Sequence, residues 1–492
     1  MTQSHMERLS PMDVSFLDQE KRGSHMHIGA VMLFDGPPPS YPDLRDHIES
    51  RLHLVPRYRQ KLAYPKLEMG RPLWVDDPRF NLEYHVRHTA LPSPGSEDQL
   101  RMLAGRIFSQ RLDRSKPLWE LWLVQGLEGG RFALINKTHH SLVDGVSGVD
   151  ITTILFDTSP TPTPIASESW TPEVEPSDAA LVAEGVKGIV KFPVRVARRA
   201  LDAATHPLET AAEVREAGEG LANVGWNLAN PAPETPLNVP IGPHRRVTWE
   251  RFRLEELKEI KNALGGTVND VFLAVVAGAL GRWLRRHGVR TEGLELRGIV
   301  PVSIRADDAK GALGNRITAM LGPLPVYATD PLERYRIVSE SMKGLKESKQ
   351  AVGAETLTRL QDFAPPTILA QASRLNFSAR AYNLLVTNVP GPQFPLYILG
   401  RELQDLFPVA FLPKGHALAV AVMSYDGGMD FGLLGDYDAM PDLDTFGELL
   451  AESAAELLAA ARERAAAAEA NGASSPARTS RPRTSSPAST GA

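Results

Sequence analysis

The chain has 492 residues, room for about two to four domains, because a single core stops growing at roughly 250–300 residues. Its 42% hydrophobic and 23% charged residues exclude wholesale disorder, and a net charge of −5 from 54 basic and 59 acidic side chains gives no preference for nucleic acid. There is no cysteine, which excludes disulfides, thiolate metal sites and cysteine nucleophiles and fits a reducing compartment.

The opening MTQSHMERLSPMD has no apolar run, so no signal peptide is expected. Ser10-Pro11-Met12-Asp13 reads as a helix start, with Ser10 as cap, Pro11 at the first helical position and Asp13 as the capping-box acid. Residues 27–34 (HIGAVMLF) read as a strand, stopped by Asp35-Gly36-Pro37-Pro38-Pro39. Residues 41–54 and 96–111 read as amphipathic helices. Residues 118–125 and 132–138 read as strands of a hairpin turned through 126–130.

Residues 158–176, rich in Pro, Ser and Thr, read as a linker, and 177–203 as a helix. Within that helix Lys187, Lys191 and Arg195 recur every fourth residue beside an apolar face, as in helices that lie on an anionic membrane surface; packing of a linker helix on one lobe is the other reading. A second α/β region starts near Arg246. It has helices at 255–264 and 268–287, strands at 296–302, 382–387, 417–425 and 429–434, an Asp426-Gly427 turn between the last two, and a helix at 451–470. Residues 471–492 lack aromatics and read as a disordered tail. The uncharged run 381–400 contains Pro390, Pro392 and Pro395, so it cannot form an unbroken lipid-facing helix. The chain is thus expected to divide into a first lobe (1–158), a linker (159–243), a second lobe (244–470) and the tail (471–492). It reads as cytoplasmic, attached at most to the surface of a membrane or lipid body.

The segment 132–148, FALINKTHHSLVDGVSG, carries the chemistry. Neighbouring strand side chains point to opposite faces, so His139 and His140 cannot serve one metal from the same face. By alternation His140 shares a side with Asn136 and Thr138, and His139 with Ala133 and Ile135. His140 is then the candidate general base, since an imidazole titrates near neutrality, and His139 the structural partner. Asp144 and Gly145 follow in a turn. No G-x-S-x-G, Walker A or H-E-x-x-H motif occurs, so serine-hydrolase, P-loop and zincin chemistries have no residue support.

The string HHSLVDG matches the HHxxxDG signature of CoA- and carrier-dependent acyltransferases with the chloramphenicol-acetyltransferase-like fold. Pro117-Leu118-Trp119, Asn269-Asp270 in GGTVNDVFLA, Pro301-Val302-Ser303-Ile304-Arg305, the opening LSPMDVSFL and TNVPGP at 387–392 join it in order. Together they resemble the bacterial wax ester synthase/diacylglycerol acyltransferase family over roughly residues 6–470. The resemblance implies an α/β (α+β) architecture of two chloramphenicol-acetyltransferase-like lobes joined by a linker, with a tunnel between them. It implies transfer of a long-chain acyl group from acyl-CoA, a substrate and not a cofactor, to diacylglycerol or a long-chain alcohol.

No covalent enzyme intermediate is implied. His140 would take the hydroxyl proton, while His139 and Asp144 would shape the site. Asn269 and Ser303 are candidate oxyanion donors, with a helix cap and a turn hydroxyl as their plain readings. Asp270 and Gly145 are motif supports; for Asp270 the plainer reading is an acid at a helix start. Pro117, Leu118 and Trp119 line the substrate channel or pack in the core, the latter being commoner for a strand aromatic. No resident cofactor or metal is expected. Two alternatives compete: a condensation-type transferase using carrier-bound acyl groups, and an inactive lipid-binding protein.

Overall fold

A computed structural model describes residues 7–20, 23–65, 71–143, 154–162, 164–165, 169–177, 179, 181, 230–303, 317–347 and 381–473. The first half runs β1 (Glu7–Arg8), α1 (Pro11–Gln19), β2 (His27–Phe34), α2 (Tyr41–Glu49), β3 (Gln60–Ala63), β4 (Leu73–Asp76), α3 (Leu82–His85), β5 (Val86–Ala90), α4 (Glu97–Ser109), β6 (Trp119–Gln125), β7 (Phe132–His139) and α5 (His140–Val143). The second runs β8 (Arg245–Arg253), α6 (Leu254–Leu264), α7 (Val268–Arg286), β9 (Glu295–Ser303), β10 (Ile317–Pro325) and α8 (Pro331–Glu347). It continues with β11 (Leu384–Pro390), β12 (Tyr397–Ile398), β13 (Arg401–Val409), β14 (Leu418–Tyr425), β15 (Gly428–Asp436) and α9 (Leu443–Ala473).

Two six-stranded sheets organise these elements. The first has the order β12-β13-β2-β7-β6-β5 and the second β10-β9-β11-β14-β15-β8; β1, β4 and β3 form a small third sheet. Both large sheets are mixed: β5–β6, β9–β11 and β11–β14 pair parallel, their other pairs antiparallel. The second half of the chain supplies two strands to the first sheet, because β13 pairs with β2 from Leu403↔Phe34 to Val409↔Gly29. Tyr397 of β12 also exchanges both backbone hydrogen bonds with Asp157, at 2.8 Å each.

Local chemistry fixes several boundaries. Ser10 caps α1 and Asp13 completes a capping box, as expected. The helix expected over 41–54 stops at Glu49, and Leu52–Leu54 forms a separate 3₁₀ turn. Asp426 and Gly427 take φ of 38° and 80° between β14 and β15, the left-handed pair that a two-residue hairpin requires. The apolar helix α7 forms the second lobe's core, buried on nearly all sides among α6, α8 and α9. In α9 the buried residues Leu443, Phe446, Leu450, Ser453, Leu457 and Ala461 recur at helical spacing. Among the described residues no single helix is long and apolar enough to cross a membrane. The helix expected at 177–203 and the tail fall almost entirely outside the described residues.

A third hydrophobic cluster joins the lobes. Phe16, Val31, Ala133 and Ile135 of the first meet Trp249, Leu385, Ala419, Leu434 and Phe407. At its rim Arg251 pairs with Glu97 and Asp405, each at 3.0 Å, and the indole of Trp249 donates to Glu97 at 3.1 Å.

Candidate active site

The site begins with a contradiction inside β7. A strand covered on both faces is expected to be apolar, and Phe132–Ile135 obeys. Its last four residues, Asn136, Lys137, Thr138 and His139, are polar yet buried. Buried polar groups cost stability unless they are paired. The Asn136 side-chain oxygen accepts from the Ala30 N–H. Lys137, wholly buried, donates to the carbonyls of Ile107 and Gln110 at 3.0 and 3.1 Å and pairs with Glu120 at 3.2 Å. That ammonium ties the C-terminal end of α4 to the strand carrying the histidines.

His139 closes β7 and is 1% exposed. Its N–H donates to the Leu118 carbonyl at 3.0 Å, so the PLW segment lies directly beside the histidine pair. Ser141 donates to His139 Nδ1 through its backbone N–H (3.1 Å) and hydroxyl (2.7 Å). This pattern leaves the ring proton on Nε2, which faces Glu20 Oε2 at 3.9 Å. Burial holds the His139 pKa down at about 3, assisted by nearby His27 and opposed by Glu20. The ring is therefore neutral at physiological pH and anchors the turn into α5.

Glu20, at the C-terminal end of α1, is the hub behind the site. Its carboxylate pairs with Arg114 at 2.5 Å and approaches His27 Nε2 at 3.6 Å. Burial alone would raise its pKa; the hydrogen-bonding contact with His27 and the charge of Arg114 overrule it and hold the group at about 2. Burial likewise pulls His27 down to about 4. At neutral pH both rings are uncharged, so the ion pair is with Arg114. Among the described residues no cluster of His, Asp and Glu can hold a metal ion.

His140 is the first residue of α5, and its N–H donates to the Met26 carbonyl at 2.8 Å. The pleat ends at His139, so alternation no longer sets the direction of His140. In place of the side of Asn136 and Thr138, its ring meets the inter-lobe cluster. It stacks on Phe16 at 4.1 Å between centroids and 30° between planes, and meets Phe411 edge-on at 5.4 Å and 88°. The residue is mostly buried, with a part of its surface left open. A partly exposed imidazole on a fixed backbone can accept a proton from a substrate hydroxyl.

Leu118 and Trp119 sit in the first lobe's core. Trp119 stacks on His85 at 4.7 Å and donates to the Tyr58 carbonyl at 2.8 Å, while Pro117 is buried beside it. Asn269 lies half-buried in the first turn of α7, in the second lobe, but the cap of that helix is Thr267. Asp270, buried, accepts the Thr267 N–H at 2.8 Å in a capping box. The spacing T-x-x-D carried that signal. Ser303 ends β9, its backbone paired with Ile317. Asp144 and Gly145 lie outside the described residues. Glu20, Arg114, His27, Phe16 and Phe411 were not among the residues singled out from sequence. Phe16 lies inside the LSPMDVSFL string and Glu20 three residues past it, whereas Phe411 has no motif.

A sequence profile for the wax ester synthase/diacylglycerol acyltransferase catalytic domain matches residues 9–272, and one for the WS/DGAT C-terminal domain matches 313–458. A probable diacylglycerol O-acyltransferase, tgs1, of Mycobacterium tuberculosis is 32% identical over 93% of this chain and 97% of its own length. A second putative diacylglycerol O-acyltransferase of that organism is 33% identical over 91% of this chain and 90% of its own. Among solved structures, the wax ester synthase/diacylglycerol acyltransferase of Marinobacter aquaeolei VT8 superposes with a TM-score of 0.66 at 28% identity, covering 92% of this chain and all of that one. A trichothecene 15-O-acetyltransferase of Fusarium sporotrichioides shares the fold alone, with a TM-score of 0.57 at 13% identity over 92% and 95% of the two chains. By these matches and by its two-lobed α/β architecture, the chain belongs to the wax ester synthase/diacylglycerol acyltransferase family.

Proposed function

We propose that this chain is an O-acyltransferase that moves a long-chain acyl group from acyl-CoA to the hydroxyl of diacylglycerol, a long-chain alcohol, or both. The observation that carries the assignment to this site is the partly exposed His140 at the head of α5, braced by Phe16 and Phe411 with the neutral His139 behind it. His140 takes the hydroxyl proton as the oxygen attacks the thioester carbon. The tetrahedral intermediate expels the CoA thiolate, which receives the proton, leaving ester and free CoA. One general base supplies roughly 10²–10⁴ in rate; holding donor and acceptor together in a channel between the lobes supplies the rest. Asn269 and Ser303 are our candidates for the donor to the oxyanion. Because acceptor and product are lipids, we place the working enzyme at a membrane or lipid-body surface.

His140→Ala should cut ester formation by at least about 10²-fold while leaving the melting curve in place. Released CoA can be followed with a thiol reagent, since the chain has no cysteine to react. Full turnover by that variant would refute the role of His140. Offering one acyl-CoA to equimolar diacylglycerol and hexadecanol, then resolving the products, assigns the acceptor.

A further inference from the structure

Three rings close on one another at the site. Phe16 from α1 covers a face of His140, Phe411 from the segment after β13 covers an edge, and the two phenyl rings touch at 6.0 Å and 72°. Both phenylalanines are nearly sealed, at 5% and 6% exposure. They belong to distant parts of the chain that meet only because β13 crosses into the first sheet. Apolar rings on a general base can neither donate nor accept the proton. They do remove positions from which a water molecule could reach it.

Water is the competitor that this chemistry must refuse. A base that activates a lipid hydroxyl also activates water: His140 takes a water proton, the oxygen attacks the thioester carbon, the C–S bond breaks, and fatty acid and free CoA result. Resting on the function proposed above, we propose that Phe16 and Phe411 form a water-excluding wall that sets the partition between acyl transfer and acyl-CoA hydrolysis. An apolar enclosure of the base favours an acceptor that carries its hydroxyl on hydrocarbon.

The test compares Phe411→Ser, small and polar, with Phe411→Leu, which keeps apolar bulk. CoA release is measured with and without hexadecanol or diacylglycerol, and ester and free fatty acid are quantified. The expected result is a ratio of hydrolysis to transfer raised about tenfold or more in the serine variant, with the leucine variant staying near wild type. Phe16→Ser should move the ratio the same way. Adding His140→Ala to Phe411→Ser should abolish the gained hydrolysis. A ratio unchanged in both serine variants while their melting curves hold would overturn the wall. Hydrolysis that survives His140→Ala would overturn it too, because the water would then be activated elsewhere. A misfolded variant would lose both reactions together and would not raise the ratio; Phe411→Tyr, which keeps the ring and adds one hydroxyl, then decides by the same ratio. Wild-type protein that releases CoA and forms no ester with either acceptor would instead refute the transferase reading.

Discussion

Glu20 gathers Arg114, His27 and His139 behind the candidate base, and removing its charge isolates them. In Glu20→Gln the guanidinium loses the carboxylate it pairs with at 2.5 Å. Breaking a fully buried pair from one side costs about 3–5 kcal/mol; with Arg114 35% exposed, we expect about 2–3 kcal/mol. Urea unfolding at pH 7.5 measures this, and a loss under half a kilocalorie would show that Arg114 is served by solvent. Those partners were not legible in the sequence. HHSLVDG is contiguous and announces itself, whereas Glu20, Arg114 and His139 meet only after α1, the loop before β6 and the end of β7 have packed. The direction of His140 departs from strand alternation for a related reason: whether a strand ends at one histidine or the next decides which wall the ring faces.

At the scale of elements, legibility followed local signals. The Ser10 cap, the Asp426-Gly427 turn and the long apolar helix α7 declare themselves through short-range chemistry. β8 and β13 do not. RRVTWERFR carries four arginines and RELQDLFPV has Pro408 as its next-to-last residue, so neither shows clean alternation. Their pairing is imposed by the lobes. Gly432 on β15 records how close that crossing is, since a Cβ there would stand 1.7 Å from the Pro408 carbonyl of β13, a backbone atom that cannot swing aside. Gly432→Ala should therefore cost more than about 3 kcal/mol and lower the soluble yield. Gly344, exposed in α8 with open space where a Cβ would go, should behave oppositely. Gly344→Ala is expected to gain about 0.5–1 kcal/mol from helix propensity. Thermal melts of the two variants decide both, and equal shifts would contradict the close crossing.

The molecule holds six buried histidines uncharged, and that makes its stability a function of pH. Burial holds His25, His27 and His85 at about 4 and His139 at about 3, and lowers His47 and His416 as well. Three of these stand along the inter-lobe side: His27 pairs with His139 across β2 and β7, and His25 reaches the Pro243 carbonyl just before β8. Unfolding returns each ring to about 6.5, so below that pH the unfolded chain binds protons that the folded one refuses. Their contribution is intact above pH 6.5 and drains away as the pH falls toward 4. Glu20, held at about 2, extends the loss from about pH 4.5 downward. Asp430 works the other way. Burial raises it to about 7, against a hydrogen bond from the Leu406 N–H at 2.9 Å, so the folded state binds its proton first and gains as the pH drops below 7. One such group cannot offset several rings. Near pH 5, unfolding should therefore take up protons net, so that stability falls as the pH drops. Urea midpoints across pH 4.5–7.5 test this: a steep decline below 6.5 is expected, abolition of part of it by His85→Gln locates one contributor, and a flat profile would mean that the rings are charged in the folded state.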